Sequence, residues 1–141
     1  MKTISIWNPF ATLIMEGFKT YETRRWPASA AMVGNFIAVA STTKPRPDQR
    51  RQFETIEFLH HYAQTELPPI EELCHGCVLG IVVLEEVLEM TEELIEAVGP
   101  RERAFGYWTP GNYAWRLRSP HWFRTPIPVK GKQGFYSWKG T

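Results

Sequence analysis

The chain has 141 residues, a formal net charge of +1 and 43% apolar residues. This length and composition are typical of one globular domain, 1–141, and exclude disordered and membrane-spanning classes, because charge is balanced and no run approaches about 20 apolar residues. The start "MKTISIW" lacks the basic, apolar and small-residue regions of a signal peptide, so we expect a cytoplasmic protein.

Taken in chain order, the first elements are a strand and a helix. "TISIW" alternates and is β-branched, which predicts a strand at Thr3–Trp7. Asn8 is a suitable helix N-cap, Pro9 fits the first helical position, and Gly17 supplies a helix end. The segments "KTYETRRW" and "GNFIAVAS" then predict two strands.

The middle and end of the chain alternate between helix and strand patterns. The stretch "TTKPRPDQRRQFETIEFLHHYAQTEL" predicts one amphipathic helix with Phe53, Ile56, Leu59 and Ala63 on its apolar face. "CVLGIVVLEEVLEM" predicts a long strand, and "TEELIEAVG" a short helix. "NYAWRLRSPHWF" and "KQGFYSW" predict two more strands. The order β-α-β-β-α-β-α-β-β indicates an α+β protein, a small mixed β-barrel decorated by helices.

Charge is unevenly distributed along this order. All 15 acidic residues lie between Glu16 and Glu102, whereas the segment from Arg103 to Thr141 has seven Lys or Arg and no carboxylate. The same segment holds ten of the 19 aromatic residues. Basic groups interleaved with rings suit a polyanion whose bases can stack, although the rings can equally fill the core of a β-rich domain.

A charged cluster follows the first helix, in "EGFKTYETRRWP". Alternate side chains of a strand share a face, so Glu22 and Arg24 point the same way, and the preceding turn can direct Lys19 toward the same cleft. Beside Trp7 and Trp26, such a cluster could hold a phosphate or the edge of a nucleobase. A surface strand with ion pairs, which blocks edge-to-edge pairing, would have the same spacing.

The residues from Gly17 to Arg24 read G-x-K-x-x-E-x-R, which resembles the signature of the ASCH domain family, a branch of the PUA-like superfamily. The blocks "SIWNPFATLIMEGFKTYETRRWP", "FIAVASTTK", "GCVLGIVVLEEV", "GNYAWRL" and "PIPVKGKQGFYSW" extend the resemblance, in order, over nearly the whole chain. It implies a PUA-like pseudobarrel with a cleft between the barrel and the first helices.

The resemblance implies binding of RNA, a nucleotide or a modified nucleoside in that cleft. Lys19 and Arg24 would hold anionic or carbonyl oxygens, and Glu22 would accept hydrogen bonds from a base edge. Stacking is expected from Trp7, Trp26 and Trp115. The other expected binding residues are Asn8, Ser41, Lys44, Lys132 and Gln133.

The alternative is a small hydrolase without a metal or cofactor. It would act on a nucleoside amide of the N4-acetylcytidine type or on RNA, with Lys19 and Glu22 as catalytic residues that activate water or stabilise an oxyanion. Related amidohydrolases carry a hydroxyl residue where this chain has Glu22, and a further glutamate from the acidic segment could complete the site. An adaptor that binds a partner through the acidic segment is a third possibility.

The two cysteines form a single C-x-x-C, "CHGC". A structural zinc site usually shows a second pair at defined spacing, and the sequence has none. We therefore expect Cys74 and Cys77 to be reduced and free of metal.

Overall fold

The computed structural model describes residues 1–44 and 47–130 and the backbone of Phe135–Ser137, and it contains a mixed sheet and helices. The strands are β1 Lys2–Trp7, β2 Tyr21–Arg24, β3 Phe36–Thr42, β4 Cys77–Glu89, β5 Tyr113–Pro128 and β6 Phe135–Ser137. The helices are α1 Phe10–Met15, α2 Pro47–Phe53, α3 Ile56–Gln64 and α4 Glu92–Ala104. The predicted α+β class and the order of the strands are confirmed.

The six strands form one sheet in the order β2-β5-β4-β3-β1-β6. The β1–β3 pair is parallel and the other pairs are antiparallel. Within the described residues, β2 pairs only with β5 and β6 only with β1, so strand pairing leaves the sheet open. Closure into the predicted barrel is therefore not confirmed.

Helix α1 lies at the centre of the core. All six of its residues are buried, including Phe10, Leu13 and Ile14. The ring of Phe10 packs against that of Phe58 in α3, with centroids 5.5 Å apart. Because α1 is enclosed by the sheet and by α3, the chain that leaves it is held in a defined position, and this chain carries the charged cluster.

The predicted single amphipathic helix is two helices. Helix α2 ends at Phe53, and Thr55 begins α3 as an N-cap whose hydroxyl accepts a hydrogen bond from the Phe58 N–H at 3.1 Å. This break changes the helical phase, so the predicted apolar face is wrong: Ile56 is 80% exposed and Leu59 is also exposed, whereas Phe58 is buried. The Thr55 cap was the overlooked local signal.

Helix α4 starts as predicted, and its regular path breaks at the predicted helix end, Gly99. The Thr91 hydroxyl accepts from the Leu94 N–H at 3.1 Å. Gly99 has a left-handed φ of 89°, which breaks the helical path before Pro100. The chain then makes a further helical turn to Ala104, which the sequence pattern did not predict.

The prediction that Cys74 and Cys77 are reduced is wrong. Cys74 and Cys77 form a disulfide in the turn that leads into β4. Gly76, with φ of 75°, reverses the chain between them and brings their Cα atoms to 6.4 Å, within the range that a disulfide spans. The C-x-x-C spacing alone did not show this turn.

In the folded protein, basic residues of the C-terminal segment lie beside carboxylates from earlier in the chain. Strand β4, which carries Glu85 and Glu86, pairs with β5, which carries Arg116 and Arg118. The Arg116 guanidinium lies 3.2 Å from Glu85 and 3.1 Å from Glu86, and that of Arg118 lies 3.4 Å from Glu85. The basic residues of this part of β5 therefore face carboxylates instead of forming an open basic surface.

Within the described part of the chain, none of the helices combines the length and the apolar character that crossing a lipid bilayer requires.

Candidate functional site

The turn after α1 positions Lys19. Gly17 has a left-handed φ of 82°, and the N–H groups of Phe18 and Lys19 donate to the Leu13 carbonyl at 3.0 and 3.1 Å. This ends the helix and directs Lys19 inward, where it is only 2% exposed, with its Nζ 5.8 Å from the centroid of the Phe10 ring. A lysine that would ordinarily be solvated is thus held within the fold.

Glu22 and Arg24 lie on one face of β2, as the strand periodicity predicts. The Arg24 Nε and Nη2 atoms each lie 2.9 Å from Glu22 Oε2, and Nη2 also donates to the Ser5 carbonyl in β1 at 3.1 Å. The guanidinium lies over the Trp115 ring, 5.6 Å from its centroid. Arg24 therefore links β2 to β1 and holds the Glu22 carboxylate in place.

Lys19 and Glu22 line the same pocket, which holds about 220 Å³ including the solvent at its mouth. In the described part of the chain, the lining residues are Phe10, Lys19, Glu22, Thr23, Gln49, Gln52, Phe105, Gly106 and Tyr107. Arg24 is not one of them. Because that volume includes open solvent, the enclosed space is far below the roughly 300–1,000 Å³ of pockets for drug-sized ligands.

Helix α2 contributes two carboxamides that the sequence patterns did not reveal. Gln49 and Gln52, three residues apart, lie on one face of α2 and line the pocket. Gln52 Nε2 donates to the carbonyls of Arg103 and Ala104 at 3.2 and 2.7 Å, which attaches α2 to the end of α4. The i, i+3 spacing places both residues on one face of a helix, but no local pattern shows that this face packs against the pocket.

Gly106 lines the pocket at a position where a side chain does not fit. A Cβ at this position would lie 2.9 Å from Thr23 Cγ2, 3.0 Å from Trp108 Nε1 and 3.3 Å from Lys19 Nζ. The next residue, Tyr107, donates its N–H to the Thr23 hydroxyl at 3.2 Å. The close approach of this loop to β2 is a tertiary contact that no local sequence pattern predicts.

Two arginine–aromatic pairs border the pocket. The Arg51 guanidinium lies 6.0 Å from the centroid of the Tyr107 ring, and that of Arg50 lies 6.0 Å from the centroid of the Trp7 ring. Trp7, a predicted stacking residue, packs edge-on against Phe53, with centroids 5.3 Å apart. Trp7 thus lies beside the pocket, next to Phe10.

The other two predicted stacking tryptophans lie apart from the pocket lining. Trp115 is buried in the core under Arg24, and its Nε1 donates to the Trp26 carbonyl at 3.1 Å. A buried ring has no open face for a base, so Trp115 is a core residue in this structure. Trp26 is half exposed.

Asn8 and Ser41, predicted to bind ligand, are buried and make hydrogen bonds within the protein. Asn8 Oδ1 accepts from the Thr12 N–H and hydroxyl, both at 2.8 Å, and Asn8 Nδ2 donates to the Cys74 carbonyl at 2.7 Å. Asn8 precedes the N-cap, Pro9, and is not the cap itself. The Ser41 hydroxyl donates to the same Cys74 carbonyl at 2.8 Å.

Three predicted binding residues remain, Lys44, Lys132 and Gln133. Lys44 is exposed two residues after β3, and its carbonyl accepts from the Thr42 hydroxyl at 3.1 Å. Lys132 and Gln133 lie outside the described residues.

Glu102 makes structural contacts at the start of β2. The Glu102 carboxylate is buried and accepts from the N–H and hydroxyl of Thr20, at 2.9 and 2.8 Å, and from the Tyr21 N–H at 3.3 Å. It therefore joins α4 to the start of β2.

Burial raises the pKa of the Tyr21 phenol above its ordinary value, so Tyr21 stays neutral at physiological pH.

Solved structures share this fold. The chain is similar to the crystal structure of an ASCH protein from Zymomonas mobilis, with a TM-score of 0.54 and 23% identity over 91% of this chain and 73% of that one. Two point mutants of the same protein match with TM-scores of 0.54 and 0.53, each at 23% identity over 91% of this chain, and over 75% and 73% of theirs. These likenesses show that the chain shares the fold of those structures.

The family model for the ASCH domain matches residues 4–127, which include most of β1 and β5, all of β2 to β4, and the described residues that line the pocket. The chain therefore belongs to the ASCH domain family, a PUA-like family that has been suggested to bind RNA.

Proposed function

We propose that this protein binds RNA, or a nucleotide or modified nucleoside, and that the Lys19–Glu22 pocket takes one base. One observation carries the proposal: an ammonium group and a carboxylate, each on a residue only 2% exposed, line one small pocket that opens to solvent. Charged groups are rarely buried to this extent without a structural or functional reason.

The polar groups of the pocket complement a base edge. The Lys19 ammonium donates hydrogen bonds and suits a carbonyl or anionic oxygen, whereas the Glu22 carboxylate accepts them and suits an exocyclic amino or ring N–H group. Gln49 and Gln52 add carboxamides to the lining, and because Gln52 Nε2 already donates to the Arg103 and Ala104 carbonyls, the Gln52 side chain offers its oxygen as an acceptor. Single-stranded RNA presents unpaired bases with such edges.

Arg24 has an indirect role in this proposal. Its guanidinium contacts Glu22, Ser5 and the Trp115 ring. It orients the carboxylate that reads the base and does not itself contact the ligand.

Binding of a labelled, mixed-sequence single-stranded RNA, followed by fluorescence anisotropy, tests the proposal. We expect Lys19→Ala and Glu22→Gln to weaken binding at least tenfold, with circular dichroism to verify folding. Lys130→Ala, at an exposed position, is the matched control and should bind as the wild type does. Folded Lys19 and Glu22 variants with wild-type affinity would overturn the proposal.

A hydrolase is the second candidate, favoured by the presence of an amine and a carboxylate in one pocket that solvent can enter. Water would attack the acyl carbon of an N4-acylated cytidine and release cytidine and the carboxylic acid, with the proton passing through Glu22 and the oxyanion facing Lys19. Release of acetate from N4-acetylcytidine, abolished by Lys19→Ala, would distinguish an enzyme from a binding protein.

A further inference from the structure

We propose that Arg50 and Arg51 form a phosphate subsite at the mouth of the pocket. This inference rests on the proposed function, because it assumes that the pocket holds a base. The ligand is then a nucleotide within an RNA strand. Its base lies inside the pocket, and the backbone phosphates lie outside.

The position of α2 brings the two arginines to the pocket. Gln49 and Gln52 lie on the face of α2 that lines the pocket, and Arg50 and Arg51 lie between them in sequence and are exposed. Since successive residues on a helix are about 100° apart, the same short helix presents carboxamides to the pocket and guanidinium groups to the solvent beside it.

Each guanidinium is placed by an aromatic ring. Arg51 lies over Tyr107, which lines the pocket, and Arg50 lies over Trp7, which packs against the pocket residue Phe10. A ring contact restricts the guanidinium and leaves its N–H edge available for the bidentate contact that suits a phosphate. The two cations therefore lie at the pocket border.

These arginines differ in charge environment from those of β5. Among the side chains that the structure describes, no carboxylate forms an ion pair with Arg50 or Arg51, whereas Arg116 and Arg118 pair with Glu85. Two such cations beside a small pocket attract an anion that is too large or too charged to enter it. A backbone phosphate meets that description.

Salt titrations with a fluorescein-labelled single-stranded RNA hexamer test the subsite. The slope of log affinity against log salt concentration has a magnitude of about 0.7 for each phosphate that the protein neutralises in a single strand. We expect Arg50→Gln and Arg51→Gln each to reduce the magnitude of the slope by that amount, and the double variant by about 1.4. Arg118→Gln is the matched control and should keep the wild-type slope.

The outcomes separate this inference from the proposed function. A wild-type slope in the double variant, or an equal reduction in Arg118→Gln, would overturn the subsite. If Lys19→Ala weakens binding in the same assay, the base pocket stands even where the subsite fails. If Lys19→Ala and Glu22→Gln bind as the wild type does, the proposed pocket is wrong, and absence of any wild-type binding would overturn both.

Discussion

The carboxylate of Glu22 and the guanidinium of Arg24 form a buried ion pair on β2, 2.9 Å apart, with side chains 3% and 4% exposed. Arg24 also donates to the Ser5 carbonyl, so one side chain joins the site to β1. The pair thus contributes both to the stability of the fold and to the position of the pocket carboxylate.

Replacing Arg24 by Ala should therefore destabilise the protein strongly. The change leaves the Glu22 carboxylate buried without this partner, and breaking a buried pair in this way costs about 3–5 kcal/mol. The free energy of unfolding, from urea titrations at neutral pH, measures the effect. Arg116→Ala is the control: its ion pairs with Glu85 and Glu86 are exposed, so a change within about 1 kcal/mol is expected. Equal effects in the two variants would contradict the structural role of Arg24.

Gly106→Ala should disturb the pocket through steric overlap. The added methyl group would meet Thr23 Cγ2 at 2.9 Å and Lys19 Nζ at 3.3 Å, so we expect a decrease of about 1–3 kcal/mol in stability, as in other overpacked sites, together with weaker RNA binding.

Thr23→Ser provides the matched test of that mechanism. It removes Cγ2 but keeps the hydroxyl that accepts from the Tyr107 N–H. In the Gly106→Ala background it should restore part of the stability, measured as a coupling energy in a double-mutant cycle. Strictly additive effects would show that the clash with Thr23 is not the cause.

Asn8→Ala should affect stability and not ligand binding. Asn8 is fully buried, and its removal leaves the Thr12 N–H without this hydrogen bond, at about 1–3 kcal/mol, whereas the Cys74 carbonyl keeps the hydrogen bond from the Ser41 hydroxyl. Asn35→Ala, which removes an exposed carboxamide that donates to the Ala31 carbonyl, is the control for thermal unfolding. A large decrease in RNA affinity with unchanged stability would instead support a role for Asn8 in ligand binding.

His61 should make stability depend on pH. Burial, and then the charges of His60 and Arg101, lower the pKa of His61 below its ordinary value of 6.5. Between the folded-state pKa and 6.5 the unfolded state binds more protons, so stability should fall as the pH decreases through this window. Urea unfolding at about pH 7.5 and about pH 5.5 should show a smaller difference for His61→Asn than for the wild type. His121→Asn, at an exposed position on β5, is the control, and an equal decrease there would contradict the assignment.

Local sequence patterns predicted the elements that depend on neighbouring residues. The alternation in β1, the turn at Gly17, the Thr91 cap and the break at Gly99 each involve contacts within a few positions, so chain order is enough to identify them. The shared face of Glu22 and Arg24 follows for the same reason, since it depends only on the two-residue period of a strand. The merged α2 and α3 were an error of the same local kind, because Thr55 was not recognised as a cap.

The composition of the pocket depends on contacts between distant segments. Gln49, Gln52, Gly106 and Tyr107 reach Lys19 and Glu22 because α2 packs against the end of α4 and the following loop approaches β2. The pairing of β4 with β5 likewise compensates charges that are separated along the chain. Periodicity and composition describe what each segment can bury, whereas the choice of partner depends on how the segments pack together. For that reason the sequence by itself determined the family motif and the two charged residues at the centre of the pocket, and only the tertiary structure decided which side chains surround them.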